Sequence, residues 1–208
     1  MTLYALKPAF QSWLRPVTVR LVALGVTANQ VTVAAMLSSC VVGAVALITT
    51  NRAAFLAIPI WLLLRMALNA IDGMLAREHG QRSRLGACLN EIGDVVSDAS
   101  LYAPFAALPA LGTGPVGLVI GLALLTEFAG VLGPMIGASR RHDGPLGKSD
   151  RALVAGALGA WIGFGGTIAP WAAIGLWLLV PLLGFTAVNR VREALSETGS
   201  TPFEPPVP

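Results

Sequence analysis

Long apolar segments separated by short polar connections run along almost the whole chain. Six are visible, at roughly residues 31–49, 53–69, 85–111, 115–136, 152–168 and 171–188. A helix that crosses the hydrocarbon core of a membrane needs about 20 apolar residues, and about 17 are tolerated. The fifth segment is short and rich in glycine, but it is too apolar for a loop exposed to water. The pattern therefore predicts an all-α polytopic membrane protein with six transmembrane helices.

A different pattern precedes the first span. Apolar residues recur there at spacings of three and four: Leu3, Leu6, Phe10, Trp13, Val17 and Leu21. Basic residues fall between them, which is typical of an amphipathic helix lying in the membrane interface, and Pro16 predicts an interruption. We therefore expect an interfacial arm over residues 1–30, a transmembrane domain over 31–190 and a tail over 191–208. The proline-rich end of the tail is expected to be disordered.

Composition agrees with a membrane location. Hydrophobic residues make up 55% of the chain and charged residues 12%, whereas soluble domains average about 25% charged residues. The first residues lack the basic start of a cleaved signal peptide. The two cysteines, Cys40 and Cys88, form no metal-binding spacing, and we expect both to be small buried residues. Membrane lipid is the expected environment, and no nucleic-acid partner is expected.

Basic residues are concentrated in alternate polar segments. The arm, the second and fourth loops and the C-terminal segment contain most of them: Lys7, Arg15, Arg20, Arg77, Arg82, Arg84, Arg140, Arg141, Lys148, Arg151, Arg190 and Arg192. The first loop has only Arg52, and the third and fifth loops have none. Because positive loops remain on the cytoplasmic side, both termini and the second and fourth loops are predicted to be cytoplasmic.

The end of the second span and the start of the third are unusually polar. Residues three and four apart share a helix face, which gives two polar faces. The first comprises Asn69, Asp72, Gly73 and Ala76, and the second comprises Gly86, Asn90, Asp94 and Asp98. A short turn between the helices would let the faces meet. Ionisable groups at membrane depth usually face a partner or a cavity, and clustered carboxylate and amide oxygens suit a hard cation such as Mg²⁺.

These positions resemble the motif D-x2-D-G-x2-A-R-x8-G-x3-D-x3-D of the CDP-alcohol phosphatidyltransferase family. The corresponding residues are Asn69, Asp72, Gly73, Ala76, Arg77, Gly86, Asn90 and Asp94. Six of the eight match, the spacing matches throughout, and asparagine replaces aspartate at the other two. The segment from Gly25 to Thr32 also resembles the family's G-x-T-P-N-x-x-T sequence. The resemblance covers nearly the whole chain and is closest to a bacterial inner-membrane branch with this asparagine-containing form.

The resemblance implies transfer of a phosphatidyl or related phospho-group from a CDP-linked lipid, such as CDP-diacylglycerol, to the hydroxyl of a small polar acceptor. CMP is released, and Mg²⁺ or Mn²⁺ assists. By motif position, Asp94 would be the catalytic base and a metal ligand, together with Asn69, Asp72 and Asn90. The nucleotide would be bound by Gly73, Ala76, Arg77 and Gly86. The family also implies a homodimer in the bacterial inner membrane, with the active site facing the cytoplasm.

Several charged residues have two interpretations. Glu91 and Asp98 flank the face of Asp94, so one of them could restore charge to a metal site that contains two asparagines; otherwise Glu91 meets solvent and Asp98 forms an ion pair. Arg65 could reach phosphates or pair with Glu127. The fourth loop provides candidate acceptor- or phosphate-binding residues: Arg140, Arg141, Lys148 and Arg151. Otherwise these are topology signals beside anionic lipid.

Two other functions remain open. A small transporter would use the buried charges to line a pathway, although no duplicated halves are visible in the sequence. A catalytically silent family member would bind the nucleotide-lipid or a partner protein without turnover.

Overall fold

Residues 6–169 and 172–199 are described by a computed structural model. In these ranges the chain forms seven α-helices and a short 3₁₀ helix, with no β-strand, which confirms the all-α prediction. The α-helices are α1 (Leu6–Ala23), α2 (Ala28–Thr49), α3 (Arg52–Glu78), α4 (Arg84–Tyr102), α5 (Thr113–Met135), α6 (Lys148–Gly163) and α7 (Ala172–Thr198). The 3₁₀ helix, Ala103–Ala107, follows α4 directly.

Local sequence fixes several helix starts. Thr27 caps α2 in a capping box with Gln30, Asn51 accepts a hydrogen bond from the backbone N–H of Ala54 at the start of α3, and Ser83 accepts one from Gly86 at the start of α4. Side-chain oxygens at these positions satisfy backbone donors that a helix leaves unpaired. The cap at Ser83 places the motif residues of α4 immediately after a five-residue connection from α3.

Four of the described helices, α2, α3, α5 and α7, are long and apolar enough to cross a membrane. The prediction of six spans is thus matched in part. Helix α4 carries the polar motif and reaches only Tyr102, because Pro104 and a 3₁₀ turn follow, whereas the sequence predicted an apolar segment to residue 111. Helix α6 has only 16 residues. Both pack among the longer helices, α4 against α2 and α5, and α6 against α3.

Small residues let these helices approach closely. A Cβ atom on Gly43 of α2 would lie 2.1 Å from the carbonyl oxygen of Ser100 on α4. A Cβ on Gly159 of α6 would lie 3.0 Å from the carbonyl oxygen of Phe55 on α3. Backbone contact of this kind is typical of helices packed in membranes, and it holds α4 in a fixed position against α2.

Helix α1 runs through Pro16 without a break, so the predicted interruption is wrong. Leu14 and Thr18 are buried against α3, near Met74, while Trp13 on the other side is 76% exposed. An ion pair between Arg15 and Glu78 also joins α1 to the end of α3. Helix α1 is therefore amphipathic, and it packs on α3 through its small buried face.

The C-terminal boundary also differs from the prediction. Helix α7 continues to Thr198, so residues 191–198 belong to the last helix rather than to an irregular tail. The predicted disordered end, residues 200–208, lies outside the described residues.

Candidate active site

The first polar face predicted from the sequence lines a cleft of about 1040 Å³ together with Gly86 and Asn90 of the second face, whereas Asp94 and Asp98 are not among the lining residues. Helix α3 contributes Asn69, Asp72, Gly73, Ala76 and Arg77, and helix α4 contributes Gly86, Asn90 and Glu91. The start of α2 and the α3–α4 connection complete the walls with Asn29, Thr32, Gln81 and Arg82. The cleft therefore opens at the end of the bundle where α3 meets α4, beside three arginines near that turn, Arg77, Arg82 and Arg84.

Asp72 is buried on the cleft wall and is held by α2. The hydroxyl of Thr32 lies 2.8 Å from Asp72 Oδ2, at hydrogen-bond distance. Gln81 ties the α3–α4 connection to α2, because its Oε1 atom accepts a hydrogen bond from the backbone N–H of Ala28 at 2.7 Å. Sequence reasoning gave no role to Thr32 or Gln81. Thr32 is the last residue of the segment that resembles the family's G-x-T-P-N-x-x-T sequence, and this position was the signal by which the sequence could have identified it.

Two motif glycines give room to polar side chains on the cleft wall. A Cβ atom on Gly86 would lie 2.7 Å from Asn29 Oδ1 and 3.0 Å from Ser83 Oγ, so Asn29 could not keep its place beside α4. A Cβ on Gly73 would lie 2.7 Å from Arg77 Nη2. The guanidinium of Arg77 thus lies over Gly73, where it can reach an anion bound in the cleft.

Asp94 stands beside the cleft and has three donors around it. Its Oδ1 atom accepts hydrogen bonds from Arg65 Nη2 at 3.1 Å and from Asn69 Nδ2 at 3.2 Å. Its Oδ2 atom contacts the ammonium group of Lys148, the first residue of α6. Helices α3, α4 and α6 therefore converge on this one carboxylate.

A chain of buried ion pairs continues from Asp94 into the bundle. Arg65 also binds Asp98 at 2.5 Å, and Asp98 lies 3.5 Å from Arg151. Arg151 donates to Glu127 at 2.6 Å.

Glu127 is also close to two further arginines, Arg190 at 3.6 Å and Arg140 at 3.7 Å. Arg140 in turn binds Glu91 at 2.7 Å, and Glu91 lines the cleft, so this series of ion pairs ends at the cleft wall.

These pairs decide between interpretations that the sequence left open. Arg65 pairs with Asp98 and Asp94, and not with Glu127, which was one of its two interpretations. Asp98 forms an ion pair with Arg65, as in its alternative, whereas Glu91, whose alternative was contact with solvent, pairs with Arg140. Their role as compensating metal ligands stays a prediction, and it would require these ion pairs to open.

The fourth-loop basic residues have separate surroundings. Arg141 pairs with Asp143 and Glu197, away from the cleft-lining residues. Arg151 is buried, and Arg140 is partly buried between two carboxylates. Of these four basic residues, Lys148 forms the ion pair with Asp94. Burial, with the charges of Arg140 and Arg190, lowers the pKa of His142 in this loop and favours its neutral ring.

The cysteines are less buried than expected. Cys40 is half-buried and accepts a hydrogen bond from the hydroxyl of Ser100 at 3.4 Å. Cys88 is exposed and lines the cleft.

The donor set of the cleft is suited to a divalent cation. Within the described ranges, no three His, Cys, Asp or Glu side chains are placed to share a metal ion. However, Mg²⁺ is often bound by one or two carboxylates together with substrate phosphates. Asp72 and Asp94 supply two carboxylates, Asn69 and Asn90 supply amide oxygens, and the neighbouring cleft has room for phosphates. The residues present therefore fit a divalent cation that a substrate helps to bind.

A bundle of apolar helices around an oxygen-rich cleft defines a helical membrane protein with a polar site at one end. The chain belongs to the CDP-alcohol phosphatidyltransferase family, whose sequence profile matches residues 25–183. This match confirms the resemblance that the motif spacing indicated.

A curated relative and two solved structures are similar to the chain. The inner membrane protein YnbA of Escherichia coli (strain K12) is 46% identical over 196 residues, which cover 94% of this chain and 97% of YnbA. The Mycobacterium tuberculosis phosphatidylinositol phosphate synthase with CDP-DAG bound has a TM-score of 0.72 and 21% identity, covering 88% of this chain and 94% of the synthase chain. The same synthase with manganese and citrate has a TM-score of 0.70 and 21% identity, covering 86% and 87%. These structures share the fold.

Proposed function

We propose that the protein transfers a phosphatidyl or related phospho-group from a CDP-linked lipid, such as CDP-diacylglycerol, to a hydroxyl of a small polar acceptor, in phospholipid biosynthesis. The observation that carries this proposal is that Asn69, Asp72 and Asn90 line one cleft of about 1040 Å³ and that Asp94 is hydrogen-bonded to Asn69 beside it. Family membership supports the reaction class. The synthase of similar fold with CDP-DAG bound supports the donor class.

The cleft walls suggest how the donor would be bound. Gly73, Ala76 and Gly86 line the cleft where the nucleotide would bind, and the two glycines give room to Arg77 and Asn29 on its wall. Arg77 would pair with a phosphate of the donor. Asn69, Asp72, Asn90 and Asp94 would bind Mg²⁺ or Mn²⁺. The cation, when bound, would neutralise the diphosphate and polarise its phosphorus–oxygen bonds.

In the reaction, the acceptor oxygen bonds to the lipid-side phosphorus, and the bond from that phosphorus to the CMP oxygen breaks. CMP leaves with the bonding electrons, and the acceptor proton passes to Asp94. In the structure the ammonium of Lys148 contacts one oxygen of Asp94. We infer that Lys148 moves to the donor phosphates when the donor binds. Asp94 would then have a free oxygen for the proton, while Arg65 and Asn69 keep the carboxylate oriented.

The proposed setting is a bacterial inner membrane, as for the relative named inner membrane protein YnbA. Helices α4 and α6 would join α2, α3, α5 and α7 as six spans around the site, with α1 in the interface. Both termini and the cleft would face the cytoplasm, following the loop charges. The proposed homodimer rests on the family alone.

Release of CMP from CDP-diacylglycerol tests this function. The purified protein, with Mg²⁺ or Mn²⁺ and a panel of small alcohols, is expected to release CMP with at least one acceptor. Asp94→Asn should keep the fold and nucleotide binding but lose about 10²–10⁴-fold in turnover, the usual contribution of a general base. Full turnover of Asp94→Asn would contradict the role of Asp94. Nucleotide binding without CMP release from any acceptor would instead identify a silent family member.

A further inference from the structure

Three arginines of the fourth loop, α6 and α7 are already paired with carboxylates of the protein itself: Arg140, Arg151 and Arg190. Glu127, buried in α5, has three guanidinium groups around it: Arg151 at 2.6 Å, Arg190 at 3.6 Å and Arg140 at 3.7 Å. A carboxylate surrounded by three arginines occupies the kind of site in which a protein binds a phosphate. The anion that fills this site is therefore part of the chain.

These ion pairs form one wall of charged residues, and the wall contains two more acids, Glu91 and Asp98. Asp98 lies 3.5 Å from Arg151 and 2.5 Å from Arg65, and Glu91 binds Arg140 at 2.7 Å. Glu91, Asp98 and Glu127 thus offset the charges of Arg140, Arg151 and Arg190, while Arg65 shares Asp98 and is also paired with Asp94. Arg140 and Glu91, about one-third exposed, are the parts of this wall nearest the cleft, and Glu91 lines it.

The position of the wall makes it relevant to the acceptor. It runs from Glu91 on the cleft to Asp98, which shares Arg65 with Asp94. If Asp94 receives the acceptor proton, as the proposed function requires, the acceptor hydroxyl must approach Asp94 beside this wall. A phosphorylated alcohol would bring about 1.5–2 negative charges to it at neutral pH. A phosphate in the cleft would face Glu91, which lines it, and would compete with Glu91 and Glu127 for the guanidinium group of Arg140.

The wall retains some hydrogen-bonding capacity. Among the buried side-chain nitrogen and oxygen atoms of the described residues, Arg140 Nε, Arg151 Nε and Tyr102 Oη have no hydrogen-bond partner. Single donors of this kind suit a hydroxyl group or a water molecule. They do not form the paired fork that binds an anion, because the Nη2 atoms of Arg140 and Arg151 are engaged by carboxylates and their Nη1 atoms contact other groups of the protein.

We propose that Glu127 determines acceptor specificity by neutralising the arginine cluster, and that the acceptor is consequently an uncharged alcohol rather than a phosphorylated one. This inference rests on the proposed transferase function for the identity of the site. It assigns to α5 a role that lies outside the α3–α4 motif.

The test compares matched acceptors: glycerol with glycerol 3-phosphate, and myo-inositol with inositol 1-phosphate. CMP release from CDP-diacylglycerol should be faster with the uncharged member of each pair in the wild-type protein. Glu127→Gln should shift the ratio of kcat/KM toward the phosphorylated member by at least about tenfold, since it frees the guanidinium groups for an external anion. The change should lie mainly in KM, because Asp94 is retained.

A second readout does not depend on turnover. Inorganic phosphate should raise the melting temperature of Glu127→Gln in detergent more than that of the wild-type protein. The matched control is Glu197→Gln, which removes an exposed carboxylate from Arg141 outside the cluster. It should change neither the acceptor ratio nor the response to phosphate.

The outcomes separate the two proposals. A wild-type preference for the phosphorylated acceptors, or an equal response of Glu127→Gln and wild type to phosphate, would overturn the role of Glu127. Absence of CMP release with every acceptor would refute the proposed function and with it the acceptor specificity; the phosphate arm would then decide only whether Glu127 neutralises the arginine cluster. If Glu127→Gln does not fold, Glu91→Gln takes its place, because Glu91 is partly exposed and partners the same Arg140.

Discussion

The contact between Lys148 and Asp94 is the single side-chain arrangement on which the proposed chemistry depends most. Lys148 is the first residue of α6, and 32% of its side chain is exposed. The ammonium is a compact charge on a flexible stem, so it can exchange a carboxylate partner for a phosphate. Arg65, which holds the other oxygen of Asp94, is buried and also pairs with Asp98. The two basic residues around Asp94 therefore have different roles, one mobile and one fixed.

Lys148→Ala is expected to lower kcat/KM for the CDP-linked donor by about tenfold or more, the loss typical of one charge-assisted contact. Thermal stability should change little, because the amine is partly exposed. Arg192→Ala removes an exposed basic residue of α7 and serves as the control, with unchanged kinetics expected. Steady-state CMP release at varied donor concentration measures the effect. Kinetics of Lys148→Ala equal to those of the control would exclude a role in donor binding.

At the scale of the element, the placement of α4 against α2 positions Asp94, the proposed catalytic base. Gly43 permits this contact, since its Cβ would lie 2.1 Å from the Ser100 carbonyl oxygen on α4. Ser100 is on the same helix as Asp94, six residues later. A displacement of α4 would therefore move Asp94 relative to α3 and α6 as well as loosen the bundle.

Gly43→Ala is expected to destabilise the protein by about 1–3 kcal/mol, the usual cost of overpacking. It should also lower turnover, because α4 must shift away from α2. Gly121→Ala in α5 is the matched control, since a Cβ there meets nothing within 4 Å. Thermal unfolding in detergent and CMP release measure the two effects. Equal melting temperatures for Gly43→Ala and Gly121→Ala would show that the α2–α4 contact adapts without cost.

At the scale of the whole molecule, the alternation of basic loops predicts six spans and a cytoplasmic cleft. The structure provides four helices that meet the length and apolarity of a span in its described part. Helix α4 is more polar than these four and contains Asp94, and helix α6 is shorter, with 16 residues, and begins at Lys148. Ionisable residues in spanning helices usually face a cavity or one another, and this is how both helices are packed.

Cysteine labelling in intact cells tests this topology. The background should carry Cys40→Ala and Cys88→Ala, because Cys88 is exposed in the cleft. In that background, Thr113→Cys is expected to react with an impermeant maleimide from outside. Arg82→Cys should react only after permeabilisation; Arg82 is preferred to its neighbour Ser83, which caps α4. The reverse labelling pattern would refute the predicted orientation.

The sequence by itself determined the helical class, the two polar faces and the family. Apolar segments of spanning length predict helices because backbone groups in lipid must pair within the segment. The spacing from Asn69 to Asp94 brings two helix faces to one turn, and the structure places the first face and the start of the second, Gly86 and Asn90, at one cleft. These features are local, since each depends on residues near one another in the chain.

Only the tertiary structure decided which charges meet. Arg65 pairs with Asp98 and Asp94, 33 and 29 residues away, and Arg151 pairs with Glu127, 24 residues away. Helix periodicity shows that each side chain faces inward, but not which neighbouring helix it meets. The same limit applies to Lys148, because its contact with Asp94 depends on how α6 packs beside α3 and α4. Partner choice among buried charges depends on the three-dimensional packing of helices, which periodicity along one helix does not specify.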